Sequence, residues 1–324
     1  MDRTGPQIPG MAHPSHASGT NEGAAGPADG VSPPGGTRPG AGRGPRDRPE
    51  VVRGPSALDI ARLSRQRGLA EGRQQCYRYI ARLTDLTPGM EFLIAPAAAG
   101  EAVRFLATLT GAHGAGVDPD AELVGHATQR ALAAGLEAQV HFDQASPTDL
   151  PYTDAVFDVA IGEIGLSAVD AGAAVAELAR VTRPGGAILL VQPVWTADVD
   201  ERRRDALTIG LGFRPLLPQR WKQLLLEAGA EDLYVDDLSE VAASRTGAAS
   251  VRTLTDFFTV RDRLAVTLSA LRRWGWAGAS AAIKRGNEIR HLVSRDRVLG
   301  LSLIRATMSR AADIVEGGSD ETKG

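Results

Sequence analysis

The chain has 324 residues, of which 43% are apolar and 23% charged, a globular composition that suits one large domain or two small ones. A net charge of −3 and a single cysteine argue against a polyanion-binding chain, a disulfide framework and a multi-cysteine zinc site. There is no apolar run of the roughly 20 residues that span a bilayer and no signal-peptide core at the start, so we expect a soluble, cytoplasmic protein.

Residues 1–54 are predicted to be a disordered tail. Positions 1–50 contain 11 glycines and 9 prolines without a fixed period. Such a segment buries too little apolar surface to offset its ordering entropy. A partner-binding role for this tail remains an alternative.

Residues 55–86 are predicted to form two short helices or one broken helix. Ser56 and Asp59 have the spacing of an N-cap residue and an acidic residue in the first turn. Apolar residues then recur at helical spacing on both sides of a break near Gly68.

From residue 91 to residue 235, predicted strands alternate with predicted helices. The strands are Glu91–Ala95, Gly114–Asp118, Gln139–Asp143, Phe157–Ile161, Ala187–Val191 and Asp232–Val235; the helices are Glu101–Thr110, Ala121–Ala134, Ala171–Val181 and Arg220–Ala228. This alternation predicts right-handed βαβ crossovers and a mostly parallel sheet, an α/β fold that binds ligands at the carboxyl ends of its strands.

Residues 238–296 are predicted to be a basic helical insertion, or cap, before a last strand at Val298–Ile304. Positions 241–310 carry 13 basic and 4 acidic residues, whereas positions 55–240 carry 16 basic and 26 acidic residues. Two helices are expected in the insertion, with a break at Trp274–Gly278. Residues 55–312 would then form one domain, followed by a flexible tail at 313–324.

Four segments of this domain match a known pattern. They are Leu86–Leu93 before the first strand, Gly116–Asp118 at the end of the second, Asp149–Ala160 around the fourth, and Ala176–Gly186 before the fifth. The chain thereby resembles the class I S-adenosylmethionine-dependent methyltransferases, in particular the small-molecule group that includes the ubiquinone and menaquinone C-methyltransferases. The resemblance implies a Rossmann-like seven-stranded sheet with helices on both faces, S-adenosylmethionine as cofactor, and an acceptor pocket covered by the N-terminal helices and the insertion.

The first cofactor motif departs from the family pattern Asp-x-Gly-x-Gly-x-Gly. The corresponding residues are Ile94-Ala95-Pro96-Ala97-Ala98-Ala99-Gly100, so Gly100 alone is retained. Pro96 has no N–H to donate to a ligand, and Ile94 cannot hold an ammonium group. The small alanines still leave room, and a helix N-terminus still points into the site.

The resemblance assigns cofactor contacts to four strand ends. They are Ala95, Ala97 and Gly100 after the first strand, Asp118 and Pro119 after the second, Ala145 and Ser146 after the third, and Gly162 after the fourth. Asp118 would accept the ribose hydroxyls, with a helix N-cap as its alternative role. Glu163 is the candidate catalytic residue, with a solvated loop acid as the alternative.

The sequence lacks the residue patterns that several other kinds of catalytic site require. No histidine has the spacing of a triad or a metal site, no metal is expected, and Cys76 is interpreted as a buried helix residue. The chain also lacks the dinucleotide-binding Gly-x-Gly-x-x-Gly and the Pro-Pro-aromatic motif of amino-methylating nucleic-acid enzymes.

Two functions follow from this pattern. The first is methyl transfer to a small-molecule acceptor that the sequence does not identify. The second is a non-catalytic scaffold or ligand-binding subunit with a methyltransferase fold. DNA is not an expected partner, whereas the basic insertion also suits RNA or an anionic membrane surface. The oligomeric state is left open.

Overall fold

The computed structural model describes residues 55–63, 69, 71–238 and 263–310. The predicted tails at 1–54 and 313–324, and the first part of the predicted insertion at 239–262, lie outside these described residues.

Seven strands of the described residues form one sheet in the order β3-β2-β1-β4-β5-β7-β6. They are β1 Glu91–Ala95, β2 His113–Asp118, β3 Val140–Gln144, β4 Phe157–Gly162, β5 Thr182–Trp195, β6 Ala230–Asp237 and β7 Leu299–Met308. The last strand, β7, runs antiparallel to both of its neighbours, and the other pairs are parallel. The predicted fold class, a Rossmann-like and mostly parallel seven-stranded sheet, is confirmed.

Helices cover this sheet. They are α1 Ala57–Arg62, α2 Glu71–Leu83, α3 Glu101–Thr110, α4 Ala121–Ala133, α5 Ala171–Val181, α6 Glu201–Leu211, α7 Pro218–Glu227 and α8 Arg263–Arg290. The predicted capping pair at the start of α1 is confirmed, because the Ser56 hydroxyl accepts from the Asp59 backbone N–H and the Asp59 carboxylate accepts from Ser56 in return. No helix in this part of the chain is long and apolar enough to cross a bilayer.

Two elements differ from the sequence-based prediction, and a third agrees with it. The predicted turn before the fifth strand is a bulge inside β5, where pairing with β4 jumps from Thr182 to Ala187. Helix α6 was not predicted, since its charged residues obscure the apolar pattern, although Asp200 caps its start and Gly212 ends it. The break predicted in the insertion is confirmed: α8 consists of two helical segments that meet at Gly275, whose φ of 65° and ψ of −157° are not helical.

The strand order reverses between β1 and β4. From β1 the chain proceeds outward to β2 and β3, and from β4 it proceeds outward in the other direction. A crevice therefore opens at the carboxyl ends of β1 and β4, where sheets of this kind bind ligands.

Candidate functional site

The loop after β1 forms the floor of this crevice. The backbone N–H of Ala97 donates to the carbonyl of Val117 at 2.8 Å, which holds the loop against β2. Gly100 has φ 73°, and a Cβ there would lie 2.6 Å from the ring of Phe142. The glycine that this chain retains is therefore required both by backbone conformation and by close approach to its neighbour.

Only one of the three loop alanines reaches the crevice. Ala97 and Ala99 are buried, whereas Ala98 lines the cavity with φ 47°, a left-handed conformation that L-residues adopt at a cost of roughly 1–2 kcal/mol. A glycine, which the family pattern places here, would adopt this conformation without strain. The Ala98 methyl group instead narrows the cavity.

Asp118 ends β2 and is 1% exposed. Its two carboxylate oxygens accept hydrogen bonds from the backbone N–H groups of Ala98 at 2.9 Å and Asp120 at 3.0 Å. Burial raises the pKa of Asp118, while the charge of Arg62 and these two hydrogen bonds act in the opposite direction. The alternative role of Asp118 as a helix cap is wrong, because Asp120 is the N-cap of α4.

Helices α1 and α2 close the crevice into a cavity of about 80 Å³. Helix α1 contributes Leu58, Ala61 and Arg62, and α2 contributes Arg73. The sheet edge contributes Pro96, Ala98, Asp118, Glu163 and Ile164. Ligand pockets commonly measure roughly 300–1,000 Å³, so this cavity is small for a ligand site.

Two arginines and two carboxylates therefore face one small cavity. Glu163 is 4% exposed and its carboxylate pairs with the guanidinium of Arg73. Burial is the largest single influence and lowers the pKa of Arg73, but attraction and hydrogen bonding to Glu163, together with the smaller contributions of Tyr77 and Glu101, raise the pKa above its ordinary value. The alternative reading of Glu163 as a solvated loop acid is wrong, because this carboxylate is buried and paired.

Gln192 on β5 positions the backbone that carries Glu163. Its side-chain amide donates to the carbonyls of Gly162 at 2.9 Å and Glu163 at 2.8 Å, and the residue is fully buried. The sequence analysis missed this residue. A polar side chain within the apolar run Ile188–Val194 was the available signal, since a buried amide needs partners.

Two further polar groups lie beside Glu163. Burial, followed by the charge of Glu163, raises the pKa of the Cys76 thiol to about 12. The same causes raise the pKa of Tyr77. Both groups are therefore protonated at neutral pH, and the interpretation of Cys76 as a buried helix residue is confirmed.

The structure brings the predicted cofactor residues together only in part. Asp118 lines the cavity, and Ala95 and Gly162 are paired residues at the ends of β1 and β4, each one position before a lining residue, Pro96 and Glu163. Ala145 donates its N–H to the Asp118 carbonyl, and the Ser146 hydroxyl is bonded to that of Thr148 at 2.7 Å. Ala97, Gly100, Pro119, Ala145 and Ser146 are not among the residues that line the cavity. Across the described residues, no cluster of three or more His, Cys, Asp or Glu side chains is arranged for a metal.

Part of the chain is similar to known methyltransferases. Residues 95–186 match the model of a methyltransferase domain family. The chain is 29% identical to methyltransferase GfsG of Streptomyces halstedii over 53% of this chain and 64% of that protein. It is 30% identical to sterol 24-C-methyltransferase ERG6B of Gibberella zeae over 50% of this chain and 44% of that protein.

Solved structures share the fold. The [4+2]-cyclase SpnF superposes with a TM-score of 0.60 at 20% identity, covering 80% of this chain and 98% of that one. A geranyl diphosphate methyltransferase solved with S-adenosylmethionine gives a TM-score of 0.53 at 15% identity, covering 72% of this chain and 84% of that one. The chain spans about half to two thirds of the length of the curated relatives it matches first.

Proposed function

We propose that this chain, whose fold is that of the class I methyltransferases, binds S-adenosylmethionine at the crevice and transfers its methyl group to a small-molecule acceptor. The observation that carries the proposal is the buried carboxylate of Asp118, which lines the cavity at the carboxyl end of β2. A carboxylate has about four acceptor sites, and two of them are used by backbone N–H groups. The remaining two can accept the ribose hydroxyls.

The amino-acid end of the cofactor would meet a different set of groups. The family acid is replaced by Ile94, which is fully buried in the core. Arg62 and Arg73 both line the cavity, and a guanidinium pairs well with a carboxylate. Because Arg73 is paired with Glu163, we assign the recognition of the amino-acid carboxylate to Arg62.

The acceptor would lie beside Glu163. The bound cofactor would supply an electrophilic methyl group, and this chain would supply position, charge and exclusion of water. Glu163 can orient an acceptor hydroxyl or amine and take its proton, while Arg73 holds the carboxylate in place. Its relatives include sterol and glycine/sarcosine/dimethylglycine methyltransferases, so the acceptor itself stays open, as does membership of the quinone C-methyltransferase group.

A ligand-binding scaffold without catalysis is the second candidate. The methyl group of Ala98 and the small cavity favour it, because both reduce the room for a cofactor. The [4+2]-cyclase SpnF shares this fold, so the fold alone does not identify a reaction.

Calorimetric titration with S-adenosylmethionine and S-adenosylhomocysteine tests the proposal. We expect binding near the micromolar range, and Asp118→Ser should weaken it about 10- to 100-fold, since a charge-assisted hydrogen bond contributes roughly 1.5–3 kcal/mol. Asp120→Ser is the matched control: it keeps an N-cap oxygen two residues away and should bind as the parent does. Absence of heat and of a thermal shift at millimolar ligand would contradict cofactor binding.

Transfer of a labelled methyl group separates the enzyme from the scaffold. The parent and Glu163→Gln are incubated with labelled S-adenosylmethionine and a small-molecule extract. If the chain is an enzyme, we expect a labelled product with the parent and none with Glu163→Gln, although both proteins bind the cofactor. Binding without transfer in either protein supports the scaffold.

A further inference from the structure

We propose that the exposed face of α8 docks onto an anionic lipid bilayer. Its exposed side chains, the α8 patch, are Leu268, Arg272 and Arg273 before the break at Gly275 and Trp276, Ile283 and Lys284 after it. The inference goes beyond the proposed function and does not depend on it.

The patch exposes an unusual amount of apolar surface. Trp276 is 83% exposed, the highest value among the large apolar side chains of the described residues. Ile283, about two helical turns further along, is 61% exposed. Leu268 is 47% exposed before the bend at Gly275. An indole has an apolar body and a polar N–H, which suits the boundary between lipid headgroups and acyl chains.

Positive charge surrounds these side chains. Arg272 and Lys284 are exposed, and the side chain of Arg273 is half exposed, 3.7 Å from Glu122. Within Arg263–Arg290 the one acidic residue is Glu288, which pairs with Arg285. The patch is therefore net positive, and each basic residue near an anionic membrane strengthens binding about fivefold.

A bilayer accounts for the whole patch better than nucleic acid does. RNA could pair with the arginines and stack on Trp276, but it would leave Ile283 and Leu268 in water. Lipid acyl chains would cover both aliphatic side chains while the headgroups meet the cations.

The position of the patch relates it to the cavity. The contact between Arg273 and Glu122 places the bend of α8 beside the first turn of α4, which begins just after Asp118. Helix α8 also packs on α1, the helix that closes the cavity. The patch thus lies on the carboxyl edge of the sheet, beside the candidate site.

Vesicle flotation with the full chain tests the inference. We expect binding to phosphatidylcholine vesicles that contain about 30% phosphatidylglycerol and little binding to phosphatidylcholine alone. Trp276→Ser should weaken binding about tenfold, and Arg272→Gln with Lys284→Gln about 25-fold. Leu132→Ser, at a side chain 63% exposed on α4, and Lys222→Gln on α7 are matched controls that should bind as the parent does.

Tryptophan fluorescence gives a second readout. Trp195 and Trp221 are buried and Trp274 is partly buried, so a blue shift on anionic vesicles should come from Trp276 and disappear in Trp276→Phe. Three results would overturn the inference: no binding to anionic vesicles, binding that the patch variants leave unchanged, or patch-dependent binding of an RNA oligonucleotide or of a second copy of the chain without vesicle binding.

Discussion

At the scale of single residues, Asp118 combines a structural and a ligand-facing position. Its carboxylate joins the loop after β1 to the start of α4 through two backbone hydrogen bonds, and it also lines the cavity. The loop conformation at Ala98 therefore depends on the same group that would hold the ribose. This coupling explains why replacement of Asp118 should affect both folding and binding, and why Asp120 is the appropriate control.

Ala98→Gly should both stabilise the protein and widen the cavity. Glycine removes the left-handed strain of roughly 1–2 kcal/mol, but the greater entropy of its unfolded chain costs about 0.4–1 kcal/mol, so we expect the free energy of unfolding to rise by about 0–1.6 kcal/mol. Ala155→Gly is the control, because Ala155 has φ 58° in an exposed turn away from the cavity. Both variants should gain stability in urea unfolding, and Ala98→Gly alone should bind S-adenosylmethionine more tightly. Equal affinity in all three proteins would show that the methyl group does not limit the site.

The Arg73–Glu163 pair should behave as one unit. Glu163→Gln leaves the Arg73 guanidinium buried without the carboxylate that pairs with it, which should cost about 3–5 kcal/mol of unfolding free energy. The double variant Glu163→Gln with Arg73→Met removes the charge as well and should recover a large part of that loss. Urea denaturation of both single variants and the double variant measures the coupling. Additive losses would show that the two side chains are independent.

At the scale of elements, Arg180 at the end of α5 holds the loop that precedes β4. Its guanidinium donates to the carbonyls of Leu150 and Tyr152, and it pairs with Glu177 and Asp154. Two of the segments that carry the family resemblance are thus joined by one side chain. The loop enters β4 in a fixed position, which in turn places Glu163 at the end of that strand.

This network predicts a pH dependence. Hydrogen bonding to Arg180 lowers the pKa of Glu177 despite partial burial, so the folded protein binds that proton less tightly than the unfolded chain does. The stabilisation is present near neutral pH and is lost as the pH falls through the acid range below about pH 4.5. Glu177→Gln should cost about 1 kcal/mol at pH 7 and little at pH 3.

Urea unfolding of the parent and Glu177→Gln at both pH values measures this difference. Glu227→Gln, at an exposed carboxylate on α7, is the control and should change stability by less than about 0.5 kcal/mol. If Glu177→Gln lowered the free energy of unfolding by the same amount at pH 3 and pH 7, the stabilisation would not come from the ionised Glu177 carboxylate.

At the scale of the whole molecule, one folded unit carries both candidate surfaces. The cavity and the α8 patch lie on the carboxyl edge of one sheet. The described residues begin at 55, where the Gly- and Pro-rich composition ends. The predicted division into tails, domain and insertion, and the cytoplasmic location, stay predictions.

Deletion of residues 1–50 should leave the melting temperature nearly unchanged. The reason is compositional: this segment contains few apolar side chains that could be buried against a domain. Calorimetric melting of the parent and the truncated chain measures the effect. A decrease of more than a few degrees would show that the segment packs on the domain.

The sequence by itself determined the elements and the strand ends. Alternating apolar segments predicted the sheet, Ser56 and Asp59 predicted the start of α1, and the position of Asp118 at the end of β2 followed from chain order. These features are local, because capping, periodicity and turns involve residues a few positions apart.

Only the tertiary structure decided what these strand ends face. Arg73 meets Glu163 across 90 positions of sequence, and Gln192 reaches the same strand end across about 30. Such pairings depend on how α1, α2 and β5 pack around the crevice, which no local pattern encodes. For the same physical reason, the sequence predicted that the N-terminal helices cover the pocket, whereas only the packing of α1 and α2 decided that the cavity they border measures about 80 Å³ and is lined by Arg73 and Glu163.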